Sequence, residues 1–363
     1  MDEIFNKLRQ TGKMSRSRGS PYGWGVFVIR RPSIPGDKGR VVINTCGLNI
    51  VAEDNAYPLP RQEDLLKAVK GNRFIAIFDQ LKSYYQRLVA PESRKLTTVV
   101  THRGQEQFNV MLMGFKGSPP HQQRYMDELL EEFEFALCYL DGIVIASRTF
   151  EEHMDHIAQV LEKMRRANLA LNPKKCSIGF AKIQLLGHLV DQYGLATLEA
   201  KIAAIREMDY PETLAKLDYF LGLTGFYRQY VEHYAQKSKP LKQLKTKLVK
   251  KILNANGKRS KKDATLIKVP PPSAEELESF KQLKEALSSE RFLIHDDPDL
   301  PLLISIDTSY EFGFGVVVYQ VPRESMEQQR LTIDDIYKGN YDRRLERVIM
   351  FISREITPAE SRY

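Results

Sequence analysis

An α+β chain of more than one domain is what the sequence predicts, and three observations predict it. The run Phe135-Ala136-Leu137-Cys138-Tyr139-Leu140-Asp141-Gly142-Ile143-Val144-Ile145-Ala146 is two apolar stretches about an Asp-Gly pair. That is the strongest short-range signal for a β-hairpin, because both central residues of a type I′ turn need positive φ. Directly after it, Thr149-Phe150-Glu151-Glu152 has the form of a capping box. Met154, Ile157, Leu161 and Met164 then recur at helical spacing, which predicts a helix over about 150–167 that lays this stripe on the sheet. The third observation is length: 363 residues exceed the ~250–300 at which a single core stops growing, so two or three domains are expected.

The remaining elements follow in order. Residues 1–72 alternate the apolar runs Val26-Phe27-Val28-Ile29 and Val41-Val42-Ile43 with turn-rich Pro32-Ser33-Ile34-Pro35-Gly36-Asp37, a strand-loop-strand pattern. Phe74-Ile75-Ala76-Ile77-Phe78 reads as a buried strand that ends at Asp79. A carboxylate is costly to place at the end of such a strand, which marks it as a candidate site residue. Asn172-Pro173-Lys174-Lys175 breaks the helical pattern, and Leu185-Leu186-Gly187-His188-Leu189-Val190 reads as one further strand. From about 198 the texture is helical, with Ile202, Ile205 and Met208, then Leu214, Leu217 and Leu221, separated by Pro211. Between Lys237 and Lys262 there are eleven Lys or Arg and no Asp or Glu, read either as a solvated basic helix and linker or as a phosphate-facing surface. Pro270-Pro271-Pro272 marks a joint, helical Leu277 to Leu287 follows, and Leu302 to Ile306 and Gly315 to Tyr319 are strand-like. There is no internal repeat.

Net charge is +8, which points towards a polyanionic partner without naming one. The cysteines Cys46, Cys138 and Cys176 are odd in number and have no paired spacing for zinc or redox chemistry. A reducing, intracellular setting is expected, cytoplasmic or nuclear. No run approaches the ~18 apolar residues that span a bilayer, and Met1-Asp2-Glu3-Ile4-Phe5 has no basic region leading into an apolar one. No membrane partner is therefore expected. His153 and His156, on a helix rich in Glu and Lys, read as surface residues.

Six segments give the hairpin a context. Arg40-Val41-Val42-Ile43-Asn44 through Gly47-Leu48-Asn49, with Tyr57-Pro58-Leu59-Pro60, resembles the fingers of reverse transcriptases from gypsy-type LTR retrotransposon polyproteins, fungal elements in particular. Phe78-Asp79 with Tyr84-Tyr85-Gln86 resembles their first catalytic motif, and Met113-Gly114-Phe115-Lys116-Gly117-Ser118-Pro119 the segment under template and nucleotide. Tyr139-Leu140-Asp141-Gly142 resembles their Tyr-x-Asp-Asp hairpin with the second Asp absent. Leu171-Asn172-Pro173-Lys174-Lys175-Cys176 and Leu186-Gly187-His188 resemble the two motifs that follow it, and Phe220-Leu221-Gly222-Leu223-Thr224-Gly225-Phe226-Tyr227 is similar to the thumb and connection region.

The resemblance implies a right-hand polymerase: fingers and palm over 1–200, a basic thumb or connection over 201–262, and a linker and helix over 263–299. A truncated ribonuclease H-like α/β lobe over 300–363 is implied by Leu303 to Ser309 and Gly313 to Tyr319. The implied activity is RNA-directed DNA polymerisation, with a nucleic-acid primer-template and deoxynucleoside triphosphates as partners. Two Mg²⁺ or Mn²⁺ ions would activate the 3′-oxygen and stabilise the leaving pyrophosphate. Asp79 and Asp141 would bridge them. Arg40 would contact the triphosphate, Tyr84 would stack below the sugar, Met113 would lie under the nucleotide, and Lys174 or Lys175 would sit near the leaving phosphate. Leu186, Gly187 and His188 would hold the primer end, and Asp307 would be the first metal ligand of the ribonuclease H-like lobe.

Two departures lower the expected activity. Gly142 removes one of three site carboxylates, and Asn44 and Cys46 replace an acidic and a basic residue beside Arg40. Losing one placed electrostatic partner costs roughly 10²–10³ in rate. The expectation is a retained fold with weak or lost polymerase activity, or a nucleic-acid-binding remnant, and no ribonuclease H activity from Asp307 alone.

Overall fold

The structure is a computed structural model and describes residues 2–29, 40–256, 265–288, 291–309 and 313–356. It comprises two compact units, Met1–Ala181 and Lys182–Tyr363.

The first unit is organised on a four-stranded antiparallel sheet. Its order is Ala136–Tyr139, Gly142–Ser147, Phe74–Asp79, Ser177–Phe180. Phe74–Asp79 is central, as its aromatic and β-branched composition favours. Its register against the hairpin runs from Phe74 opposite Ser147 to Asp79 opposite Gly142. Two helices cover the sheet, Ser118–Leu130 through Met126 and Leu130, and Phe150–Arg166 through Ile157, Val160 and Met164.

The capping box at Thr149 and Glu152 is formed, and the helix has the expected length. Its buried stripe differs from the predicted one. Met154 and Leu161 are exposed, and His153 and Val160 are buried in their place. Nor is His153 a surface residue: the Ser147 hydroxyl lies 2.9 Å from Nδ1 of both His153 and His156, and His156 stacks on Phe135. A hydroxyl at the end of the facing strand gives the imidazoles a polar partner in the core, which makes burying them tolerable.

Elsewhere in this unit, Met14–Arg16, Gly104–Phe108 and Thr98–Thr101 form a three-stranded sheet around Phe5, Val99, Phe108 and Leu112. The predicted strands near the N-terminus are present as the pair Val26–Ile29 and Arg40–Ile43. The turn-rich segment between them lies outside the described residues. Helices Asp2–Gln10, Cys46–Val51 and Gln62–Val69 were not anticipated, being too short to show several turns of periodicity.

The second unit opens on a hairpin, which corrects the single strand predicted over 185–190. Lys182–Leu185 pairs with His188–Asp191, Leu185 faces His188, and Leu186-Gly187 form the turn. Gly194–Thr197 and Phe292–Ile294 complete a four-stranded sheet. Helices Glu199–Arg206, Leu214–Phe226, Tyr234–Asn256 and Ala274–Ala286 surround a core that includes Leu217, Phe220, Tyr227, Tyr230, Leu241 and Leu283. The basic run is helical as far as Asn256, burying Leu241, Leu244 and Leu248 and exposing Lys247 and Lys250. Residues 257–264 lie outside the described residues. A last antiparallel sheet, Leu303–Ser309, Gly313–Gln320 and Arg347–Arg354, leaves an apolar row on one face, with Ile304 and Ile306 58% and 64% exposed. Among the described residues no helix is long and apolar enough to cross a membrane.

Candidate functional site

Backbone pairing puts the two candidate carboxylates side by side in the first unit. Asp79 is the last residue of the central strand and sits opposite Gly142, while the Gln80 N–H donates to the Asp141 carbonyl at 2.8 Å. Asp141 is exposed and Asp79 half-buried. The hairpin turn itself is not the predicted one. Tyr139 pairs with Gly142, so the two central residues are Leu140 and Asp141, and of Leu140, Asp141 and Gly142 only Leu140 has a positive φ, 57°. Gly142 is therefore an ordinary strand residue. A Cβ built there would meet nothing closer than the Tyr139 carbonyl at 3.7 Å, normal van der Waals contact.

Lys175, in the turn Pro173–Lys175, places Nζ 3.1 Å from Asp79 Oδ2. Of the two lysines left open by the sequence, this is the one shown in contact with a site carboxylate. Behind it, the Asn172 N–H donates to the Asp79 carbonyl at 2.7 Å and ties the turn to the strand end. Tyr84 lies in the turn Ser83–Gln86, half-buried, and both burial and the negative charge of Asp141 push its phenol above the ordinary value. Met113 is half-buried in the loop before helix Ser118–Leu130. That loop is held by Thr45, whose hydroxyl donates to the Gly114 carbonyl at 2.8 Å, and by Asn49, whose side-chain oxygen accepts from the Lys116 N–H at 2.9 Å. Arg40 begins its strand opposite Ile29, and its side chain lies outside the described residues.

In the second unit, Leu186 and Gly187 both have positive φ, 48° and 84°, as a two-residue I′ turn requires. Gly187 is also needed sterically, because a Cβ would lie 2.9 Å from the Phe226 ring. His188 points inward. Its Nδ1 is 2.8 Å from the Tyr230 hydroxyl and its ring stacks on Phe226 and Tyr230, while the Tyr227 hydroxyl donates to the Gly187 carbonyl at 2.8 Å. His188 thus anchors the turn from beneath and does not offer its side chain to a ligand. Asp307, exposed and opposite Gly315, edges a recess shared with Glu232, His233 and Ser305. Among the described residues no three His, Cys, Asp or Glu side chains gather as metal ligands.

Burial holds His188 and His153 below the usual imidazole range. Below about pH 6.5 the unfolded chain takes up protons that these buried rings refuse, so stability is lost as pH falls from there towards their depressed values. Urea midpoints should fall between about pH 7.5 and 5.5, and the drop should shrink in His188→Gln. An equal drop in that variant would assign the pH dependence to other groups.

Gln80, Gln122, Gln123 and Asp127 also shape the site, and sequence reading missed them. Gln122 donates to the Gln80 side-chain oxygen at 3.0 Å, next to Asp79. The readable signal was polar residues on the apolar stripe of helix Ser118–Leu130, where Gln122 and Gln123 share a buried face with Met126 and Leu130.

Residues 33–190 match the family model described as reverse transcriptase (RNA-dependent DNA polymerase). The chain carries a reverse transcriptase domain. It is similar to the Retrovirus-related Pol polyprotein from transposon opus of Drosophila melanogaster, 27% identical over 100% of this chain and 34% of that protein. It is also similar to the Enzymatic polyprotein of Cauliflower mosaic virus, 30% identical over 72% of this chain and 37% of that protein. The chain spans about a third of the length of these relatives. The foamy viral protease-reverse transcriptase solved in complex with dsDNA shares the fold, with a TM-score of 0.79 at 18% identity over 100% of this chain and 67% of that one. The α+β reverse transcriptase polymerase fold is thereby established, with the domain's Asp79 and Asp141 at the sheet's hairpin end.

Proposed function

We propose that the chain is the polymerase portion of a gypsy-type retrotransposon Pol polyprotein, an RNA-directed DNA polymerase whose activity Gly142 weakens. The observation that carries this reading is the register that sets Asp79 opposite the hairpin turn bearing Asp141. The pair suits Mg²⁺ or Mn²⁺: both donors are hard carboxylate oxygens, and Mg²⁺ is commonly held by one or two carboxylates plus substrate phosphates and water. Asp79 already carries a positive partner in Lys175. Asp79 and Asp141 would hold the metal, which when bound activates the attacking 3′-oxygen and stabilises the leaving phosphate of a deoxynucleoside triphosphate. Tyr84 and Met113 would line the nucleotide's place, Lys175 would meet the leaving phosphates, and Arg40 the triphosphate. Residues 300–363 are read as a ribonuclease H-like lobe with Asp307 as its first metal ligand. Mg²⁺-dependent primer extension on an RNA template tests the polymerase reading.

A second reading, a binding remnant without catalysis, is favoured by Gly142 together with the basic helix Tyr234–Asn256. Both readings expect primer-template affinity to fall with salt, by a log-log slope of about −0.9 per phosphate neutralised on duplex DNA. Lys247→Glu with Lys250→Glu, both at exposed positions, should flatten that slope by roughly two such increments. A slope that does not move would make this helix face an ordinary solvated surface.

A further inference from the structure

One helix grips both aspartate-bearing elements. In Ser118–Leu130, Gln122 and Gln123 are fully buried. The side-chain oxygen of Gln123 accepts from the Leu140 N–H at 2.8 Å, and its amide nitrogen donates to the Cys138 carbonyl and to Asp127 Oδ1, each at 2.8 Å. Asp127 Oδ2 accepts from the Tyr57 hydroxyl at 2.6 Å. A carboxamide is the one side chain of this size that satisfies such a set, offering an acceptor to an N–H and two N–H donors to a carbonyl and a carboxylate. The bond to Asp127 raises the Tyr57 phenol to about 12, which marks a hydroxyl firmly committed as donor.

Leu140 is what needs holding. Its φ of 57° lies in the left-handed region that a residue with a Cβ rarely adopts, and such a conformation persists only where the surroundings over-determine it. Gln123 meets the backbone on both sides of Tyr139, and Asp141 is the next residue along.

We propose that Gln123 is a positioning residue for Asp141: its amide clamps the turn from Cys138 to Leu140 and so sets where the Asp141 carboxylate is presented, with Asp127 and Tyr57 orienting the amide. The inference rests on the reading of Asp79 and Asp141 as a metal-binding pair. Gln122, one position earlier, is bonded side chain to side chain with Gln80, the residue after Asp79. Tyr57 belongs to the segment before helix Gln62–Val69, so the chain of bonds ties that segment to the turn.

The test uses the full chain with Mn²⁺ alone as probe, and reads the hydrogen-exchange rate of the Leu140 amide beside Mn²⁺ affinity. Gln123→Glu loses both donors and sets a carboxylate against that of Asp127, whose repulsion pulls the side chain, and with it the oxygen that accepts from the Leu140 N–H, out of place. It should speed Leu140 exchange at least ~10-fold while Ile143 to Ile145 keep their protection, and weaken Mn²⁺ binding by at least ~10-fold, the scale of one lost buried hydrogen-bond set. Adding Leu140→Gly should recover part of the affinity, since glycine takes positive φ unaided. Tyr57→Phe, at a half-buried position that leaves the core filled, should move both readouts less and in the same direction. Unchanged Leu140 exchange in Gln123→Glu would overturn the clamp. Mn²⁺ binding that Asp141→Asn removes and Gln123→Glu leaves intact would overturn the positioning role. A parent chain with no Mn²⁺ binding would count against the polymerase reading, and the exchange arm would still decide the clamp.

Discussion

Gly142→Asp should raise Mg²⁺-dependent primer extension at least ~10-fold over a weak natural chain, a gain in line with the roughly 10²–10³ carried by one placed electrostatic group. The backbone permits it. Position 142 is paired opposite Asp79, has no positive φ, and leaves a new Cβ at 3.7 Å from the Tyr139 carbonyl oxygen, an ordinary van der Waals contact. The added carboxylate would therefore start from the strand beside Asp79 and Asp141 and need no backbone adjustment. Asp141→Asn in the Gly142→Asp chain should return extension to background, because on the proposed reading a neutral amide would stand where a metal-bridging carboxylate is needed. Robust extension by the natural chain that Asp141→Asn abolishes would show that two carboxylates suffice and remove the case for impairment. No extension from any of these proteins would favour the binding remnant.

Gly194→Ala should destabilise the second unit by about 3 kcal/mol, the upper end of ordinary overpacking. Gly194 pairs with Ile294, and a Cβ there would lie 2.0 Å from the Leu293 carbonyl oxygen and 2.9 Å from the Ile294 Cα. Backbone cannot swing aside as a side chain can, so strand Phe292–Ile294 must part from Gly194–Thr197. Leu293, buried in the core of this unit, would be pulled out with it. Urea unfolding checks the magnitude, and amide exchange at residues 292–294 should rise before that of Leu217 or Phe220. A variant as stable as the parent would mean that the two strands are not held at this register.

Much of the palm was legible because its signals are local. The strand ending at Asp79, the hairpin and the capped helix each rest on a run of neighbouring residues, and each is present. The errors came where a partner distant in sequence decided the outcome. The Asp-Gly pair was assigned to the turn on local preference, yet the pairing of Tyr139 with Gly142 shifts the turn by one residue onto Leu140, whose conformation depends on Gln123, 17 positions away. His153 looks exposed in the sequence because its helix is rich in Glu and Lys, and Ser147, six positions earlier, carries no mark of lying beneath it. The run at 185–190 looked like one strand because Leu186 carries no turn signal, and only the Phe226, Tyr227 and Tyr230 cluster makes the bend at Gly187 worthwhile. For the site, the two aspartates were readable and the glutamines that hold them were not, since a buried amide has the same letter as an exposed one.

The hydroxyl between His153 and His156 has a consequence for proton placement. Ser147 has one hydrogen to give, yet both Nδ1 atoms lie 2.9 Å from its oxygen. Two bare nitrogens would leave one facing oxygen lone pairs, and two protonated ones would leave the hydroxyl hydrogen without an acceptor between the rings. The three groups are satisfied when the imidazoles are opposite tautomers. Nε2 of His153 is buried without a partner among the described residues, and a bare nitrogen is cheaper to strand there than an N–H. His153 therefore carries its hydrogen on Nδ1 and donates to Ser147, which donates to Nδ1 of His156, whose own hydrogen is on Nε2. The palm helix is joined to the hairpin strand by a hydrogen-bond chain with a direction, running from the core outwards.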